Sequence, residues 1–337
     1  MTGKPGFDQM RRLIAGYSVT IAISAVTELG IPDRLAEGPR DAAALAREAG
    51  VNEDFLRRVL RYLASEGVFE ERPNGAFALT PQSQWLRAGV PGSMRPRAVF
   101  AGSAMSWSAW GSLLAAMKVG RSGMEAAFGE TVFAHVKTHL DAAAVFNTFM
   151  ATQTAASNEA LLASYSFAGV REMVDVGGGR GALIAGALRA EAGMRGILFD
   201  MPEVVASAPP LLAEAGVADR CRVVGGDFFQ EVPQGADLYA LKFILHDWSD
   251  AACVRILTNC RRAMVPGGRV LIVEHIVPDG AAPHFARFMD INMLVMTDGG
   301  RERTQQEFER LVRPAGLRLG KVVPTEVGIS ALECVAV

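Results

Sequence analysis

Asp200, Asp227, His246, Asp247, Glu274 and Glu302 fall at the ends of short apolar runs or in the loops near them. One such run, Val174-Asp175-Val176, enters Gly177-Gly178-Gly179-Arg180-Gly181, with a helix starting near Ala182. Glycines at a turn of this kind let the backbone approach a ligand closely. Asp200 follows Gly179 by 21 residues, and a carboxylate at that distance can accept both hydroxyls of a ribose. Capping the helix after Met201-Pro202 is its plainer alternative. Asp227, in Gly226-Asp227-Phe228-Phe229, can meet the amino group of an aromatic base while Phe228 packs on the ring; a capped turn is the alternative. His246 stands in Leu241-Lys242-Phe243-Ile244-Leu245-His246-Asp247-Trp248-Ser249-Asp250 and is one of only five histidines. It is either a site residue or a structural imidazole. Glu274 ends an apolar run and needs a partner, because burying a lone carboxylate is costly. Glu302 precedes Thr304 and Glu307, which fit a capping box; read alone, it is a site residue or a surface charge.

Presenting these groups together takes a sheet. From Val170 the chain alternates strand and helix patterns, with strands expected at 173–176, 196–199, 222–224, 238–243, 270–274, 317–323 and 330–335. That is an α/β, doubly wound, Rossmann-like domain, with ligands at the carboxyl ends of its strands. The dinucleotide fingerprint is GxGxxG. Here the third glycine comes one place early, Gly177-x-Gly179-x-Gly181, with an acid two residues before the first. This tight form is the one that S-adenosylmethionine (SAM) enzymes show. Asp175 then holds the loop or faces the methionine amine rather than catalysing.

The N-terminal part reads differently. Residues 41–48 form a short helix ended by Gly50. Asn52 caps a second helix, with Phe55, Leu56, Val59, Leu60 and Leu63 on one face and Gly67 as its stop. Two short strands around Asn74-Gly75 make a hairpin. Helix–turn–helix and hairpin form a winged helix, which invites a nucleic-acid reading. Charge argues against it: from Ile31 to Arg72, seven arginines face nine acids, whereas a DNA reader should be basic. Packing or dimerisation is the expected use. The expected domains are 1–90 (winged-helix dimerisation), 91–165 (a helical linker contributing to an acceptor pocket) and 166–337 (catalytic).

The whole chain of 337 residues is half hydrophobic, with a net charge of −2. That is a soluble globular composition without general attraction to nucleic acid or membrane. Cys221, Cys253, Cys260 and Cys334 lie apart without a CxxC pair, so reduced thiols in a cytoplasmic protein are expected, and no metal. Lys4, Arg11 and Arg12 before the apolar run 13–26 imitate a signal peptide, but the run is too short to span a membrane, which takes ~20 residues. A helix over 8–30, buried in the core or in a subunit interface, is the better reading. Residues 91–165 look helical and rich in Met and aromatics. Such stripes are core or pocket wall.

In this order, VDVGGGRG (174–181), FDMPEVV (199–205), GDFF (226–229), LKFILHDWSD (241–250), the Glu274 strand end and MDINMLVMTDGGRERTQQEF (289–308) resemble the SAM-dependent O-methyltransferases of the caffeate and acetylserotonin type, which include many bacterial natural-product enzymes. The resemblance covers nearly the whole chain. It implies a homodimer locked by N-terminal helices, SAM bound in the C-terminal domain, S-adenosylhomocysteine as product, and a small aromatic acceptor held between both domains. It implies His246 as general base, Glu274 and Glu302 as its flanking acids, and Asp200, Asp227 and Lys242 as cofactor contacts. Asn292 matches the acetylserotonin-type enzymes better than the plant phenolic ones. Arg180 departs from the family, which has a small or polar residue there.

The expected chemistry follows. A sulfonium methyl is already activated, whereas a phenol has a pKa of ~10. A positioned imidazole accepting its proton contributes ~10²–10⁴-fold, and Glu302, Glu274 or Asp247 would orient that imidazole. Trp107, Phe149, Met150, Met289, Met293 and Met296 are the apolar candidates for the acceptor wall, each equally readable as core. The rival readings are methylation at nitrogen or carbon, a SAM-binding relative without methyl transfer, and a winged-helix regulator that senses SAM.

Overall fold

A computed structural model describes residues 6–337, in which the chain forms two units: residues 6–108 with 133–152, and residues 109–132 with 153–337. Lys4 of the signal-like stretch lies outside the described residues. Among those described, no helix is long and apolar enough to cross a membrane.

In the first unit the winged helix forms where local chemistry dictates it. Asp41 caps the helix Ala42–Ala49 by accepting from Ala44 N–H, and Gly50 ends it in the left-handed region at φ 68°. Asn52 caps Glu53–Ser65 through Phe55 N–H. Strands β1 (Arg40–Asp41), β2 (Phe69–Glu71) and β3 (Ala76–Leu79) make a small sheet in the order β1-β3-β2, and β2 and β3 form the hairpin. Leu56, Leu60 and Leu63 are buried with Ile31, Leu45 and Phe77. Phe55 is exposed instead of sharing that face: the buried stripe runs i, i+4, i+7 from Leu56, and Phe55 lies one residue off it. The arginines of this helix are matched by acids, Arg57 with Glu53, Arg58 with Asp54 and Arg61 with Glu71. The first long helix is Phe7–Glu28; only Ser24, Val26 and Thr27 are buried, while Phe7, Met10, Leu13, Ile14 and Tyr17 are exposed.

The second unit is built on a seven-stranded sheet of β4 (Glu172–Val176), β5 (Arg195–Asp200), β6 (Cys221–Gly225), β7 (Leu238–Lys242), β8 (Arg269–His275), β9 (Leu317–Pro324) and β10 (Ile329–Ala336). Their order is β6-β5-β4-β7-β8-β10-β9. The first five are parallel to one another; β10 is antiparallel to β8 and β9. β4, β7 and β8 are buried almost throughout, as parallel strands covered on both faces must be. Two apolar clusters flank the sheet. One contains Val174, Tyr239, Ile272 and Phe308; the other contains Met173, Leu188, Leu198 and Leu271. The four cysteines are free and buried, with Cys253 and Cys260 on one helix, Asp250–Ala263. The chain runs outward from β4 through β5 to β6, then returns to place β7 on β4's other side. This reversal opens a crevice at the carboxyl ends of β4 and β7, where such sheets take ligands.

Candidate active site

The glycine turn leaves β4 into that crevice. Gly177 and Gly179 have φ of 68° and 61°, values that a side chain rarely tolerates. A Cβ on Gly177 would lie 2.4 Å from Ile244 Cδ1 and 3.6 Å from Phe228 Cε1, whereas one on Gly179 would meet nothing within 4 Å. The turn thus sits hard against the loops after β6 and β7 at one glycine and opens to free space at the next. Asp200, at the end of β5, accepts hydrogen bonds from Gly179 N–H at 2.8 Å and Met201 N–H at 2.7 Å. Burial raises its pKa, against these two bonds. Asp227 Oδ1 accepts from Phe229 N–H at 2.8 Å, which is the capped turn, with its carboxylate beyond β6.

Two ionisable groups lie in the crevice, Asp175 buried and Lys242 half-buried. Asp175 is 1% exposed, and its Oδ2 finds no partner among protein atoms. Burial pushes its pKa up to about 7, with Lys242 opposing. Lys242, the last residue of β7, donates to Ser157 Oγ at 3.2 Å and lies 4.5 Å from the Phe243 ring centre. Burial lowers its pKa to about 8, while Asp175 and Glu274 hold it up. An unsatisfied buried carboxylate, open space over Gly179 and paired acids at two strand ends are the features that a cationic, ribose-bearing ligand such as SAM would complete.

The loop after β7 carries His246 in a short 3₁₀ turn, Leu245–Asp247. Its Nδ1 is 3.0 Å from Glu302 Oε1 and 3.4 Å from Glu274 Oε2; its Nε2 is 3.7 Å from Asp247 Oδ1. In the neutral imidazole the bond to Glu302 places the proton on Nδ1 and leaves Nε2 as the acceptor. Glu274 finds its partners in the same loop: its Oε1 accepts from the N–H groups of Ile244, Leu245 and His246. Glu302 is 2% exposed, and its own N–H donates to Asp290 Oδ1 at 3.0 Å. Burial opposes a charge on the imidazole, but Glu274, Asp247 and Glu302 outweigh it and push the His246 pKa up to about 10. Burial likewise raises Glu274 and Asp247, with His246 pulling each down.

Aromatic rings continue outward from the imidazole. Phe243 stacks on His246 at 5.4 Å and on His275 at 5.7 Å. His275 meets Phe285 edge-on at 5.5 Å, Phe285 lies 5.7 Å from Phe288, and Phe288 stacks on Trp110 at 5.9 Å. Phe243 is the one non-glycine residue with positive φ, 56°, among those described, so backbone strain is stored where β7 turns into the His246 loop. Reading the sequence did not single out Phe243, Phe285, Phe288, Asp290 or Arg303 as site residues. Met289, Asn292, Met293 and Met296 share the helix Phe285–Met296, with Met293 and Met296 buried. Trp107, Phe149 and Met150 belong to the first unit. There Trp107 and Met150 are exposed, and Phe149 stacks on Phe100 at 4.5 Å.

Comparison with known proteins matches this geometry to a family. Residues 110–318 match the model of the O-methyltransferase domain, and residues 11–89 that of the O-methyltransferase dimerisation domain. The phenazine O-methyltransferase PhzM of Lysobacter antibioticus is 42% identical over 96% of this chain and 94% of its own. The mitomycin biosynthesis 6-O-methyltransferase of Streptomyces lavendulae is 37% identical over 91% and 88%. The structure of CalO1, a methyltransferase in calicheamicin biosynthesis in its S-adenosylhomocysteine-bound form, superimposes with a TM-score of 0.87 at 38% identity, covering 98% of this chain and 97% of that one. Fold, glycine turn and paired matches agree, and the chain belongs to the SAM-dependent O-methyltransferases that carry an N-terminal dimerisation domain.

Proposed function

We propose that this enzyme methylates a hydroxyl of a small, flat aromatic molecule, with His246 taking the acceptor's proton. The observation that carries the reading is the imidazole itself. It is fixed at Nδ1 by Glu302 and faced by Glu274, in the turn that follows the strand next to the glycine turn, with Nε2 left to take the proton. Asp175, Gly177, Gly179, Asp200, Asp227, Phe228 and Lys242 hold the cofactor, which supplies a methyl already activated by its sulfonium. Met289, Asn292, Met293 and Met296 supply acceptor contacts. The ring series from His246 to Trp110 supports an aromatic partner, since offset and edge-on ring contacts stabilise one by ~0.5–1.5 kcal/mol each.

S-adenosylhomocysteine release, measured with SAM and a panel of phenols, hydroxyindoles, hydroxyquinones and hydroxylated aromatic acids, tests the reading. Release that depends on one aromatic class is expected; release with aliphatic alcohols alone contradicts it. Asp200→Ala should weaken SAM binding about 10–100-fold by calorimetry, the loss of charge-assisted bonds of ~1.5–3 kcal/mol. Unchanged affinity would remove Asp200 from the cofactor site.

The enzyme is proposed to act as a homodimer through its N-terminal helices. The exposed residues Phe7, Met10, Leu13, Ile14 and Tyr17 recur at helical spacing on Phe7–Glu28, an apolar stripe of the kind that marks an interface. Leu13→Asp with Ile14→Asp should convert dimer to monomer in sedimentation velocity; a variant that stays dimeric places the interface elsewhere.

A further inference from the structure

Arg303 is the largest fully buried side chain among the described residues, 1% exposed, and the reaction as described above gives it no part. A guanidinium is not buried without a full set of acceptors, and those found here define a purpose. Its Nη1 donates to Leu245 O at 2.9 Å and its Nη2 to Trp248 O at 3.0 Å. Its Nε and Nη2 both reach Asp250 Oδ1, at 3.0 and 2.8 Å. The two carbonyls flank His246, one on each side in the chain.

The turn carrying His246 is buried and outside the sheet, so each of its backbone polar groups needs a partner from elsewhere. Glu274 takes the N–H groups of residues 244–246. Arg301 N–H donates to His246 O at 2.8 Å. Arg303 takes the carbonyls on either side. It is itself fixed to the sheet end that bears Glu274, because Val277 N–H donates to Arg303 O at 2.9 Å. The neighbouring Glu302 holds the imidazole at Nδ1. One short segment, 301–303, therefore grips the imidazole, its own carbonyl and the carbonyls beside it.

We infer that Arg303 is a positioning residue for methyl transfer, locking the Leu245–Trp248 turn so that His246 is held against Glu302 with Nε2 aimed at the acceptor. The inference rests on His246 as the proton acceptor. Misplacing a reacting group by about 1 Å costs on the order of 10²-fold, and a lysine cannot span two carbonyls and a carboxylate with the planar fork of an arginine.

The test compares Arg303→Lys, His246→Ala and the double variant as full-length enzymes, reading SAM affinity, acceptor KM, kcat per folded molecule and the pH profile. Arg303→Lys should lower kcat by about 10²-fold with SAM affinity and KM unchanged. Its pH break should move to lower pH as the imidazole slips from Glu302. In the His246→Ala background, Arg303→Lys should cost nothing further, because groups acting through one another are not additive. A fully active Arg303→Lys enzyme beside an inactive His246→Ala enzyme overturns the inference alone. So does an equal loss in both backgrounds, which marks general damage to the fold. A fully active His246→Ala enzyme overturns the proton-acceptor reading itself, and this inference with it. Should Arg303→Lys not fold, Asp250→Asn decides, since that carboxylate is 62% exposed. A smaller fall in kcat with the same direction of pH shift supports the clamp; wild-type kcat and pH break refute it.

Discussion

His246→Ala is expected to lower kcat by about 10²–10⁴-fold while SAM binds as before. The acceptor sets the size of the effect. A phenol loses its proton with a pKa of ~10, and the oxygen must be at least partly anionic as its bond to the methyl carbon forms. Three carboxyl groups raise the imidazole's pKa above its ordinary value, against burial, which moves it toward that of the phenol and lowers the cost of passing the proton between them. Alanine leaves that proton with no acceptor in place, since Asp247 Oδ1 lies a further 3.7 Å from the position of Nε2. Alignment and the activated methyl remain, which is why residual turnover is expected. Single-turnover kinetics with saturating SAM checks this; a variant as fast as the parent removes His246 from the chemistry.

Glu302→Gln should lower kcat by about 10²-fold or more and move the pH dependence in a defined direction, because the carboxylate both fixes the tautomer and stabilises the imidazolium. In the parent enzyme, one proton must leave the pair of imidazole and acceptor before reaction. Below the imidazole's pKa of about 10 the reactive form declines as pH falls, so kcat/KM rises with pH across the neutral range. Removing Glu302 removes a negative charge and a hydrogen bond that retain the proton. The imidazole pKa falls, and the break in the profile shifts to lower pH. A parallel profile of Glu302→Asp separates charge from geometry: the shorter acid keeps the charge, so its break stays nearer the parent's. A Glu302→Gln enzyme with the parent's break would mean that this carboxylate does not govern the base.

Much of this was legible in the residues because it is local chemistry. The caps at Asn52 and Thr304 each form as their side chains dictate. Strand positions follow from apolar runs between turns, and the glycine turn follows from backbone freedom at Gly177 and Gly179. What escaped reading was set by tertiary placement. An arginine in a charged loop such as Arg303 in Gly299-Gly300-Arg301-Glu302-Arg303 reads as solvated, and only the return of that loop beneath the His246 turn buries it. Asp290 reads as a helix-surface acid until Glu302 N–H is found on it. Phe243 looks like strand core, and its left-handed backbone is visible only where β7 breaks off. Phe55 was misplaced because five apolar residues crowd one helix, while the core accepts only the stripe from Leu56.

Methyl transfer to an aromatic oxygen by way of His246 leaves a chemical record in the product. The most direct measurement supplies SAM carrying a ¹³C methyl group, with an acceptor that turns over, to parent and His246→Ala enzymes side by side, and locates the label in the product by NMR. A single labelled methyl ether is expected from the parent and a trace of the same ether from the variant. Label on nitrogen or carbon, or equal yields from the two enzymes, would contradict it.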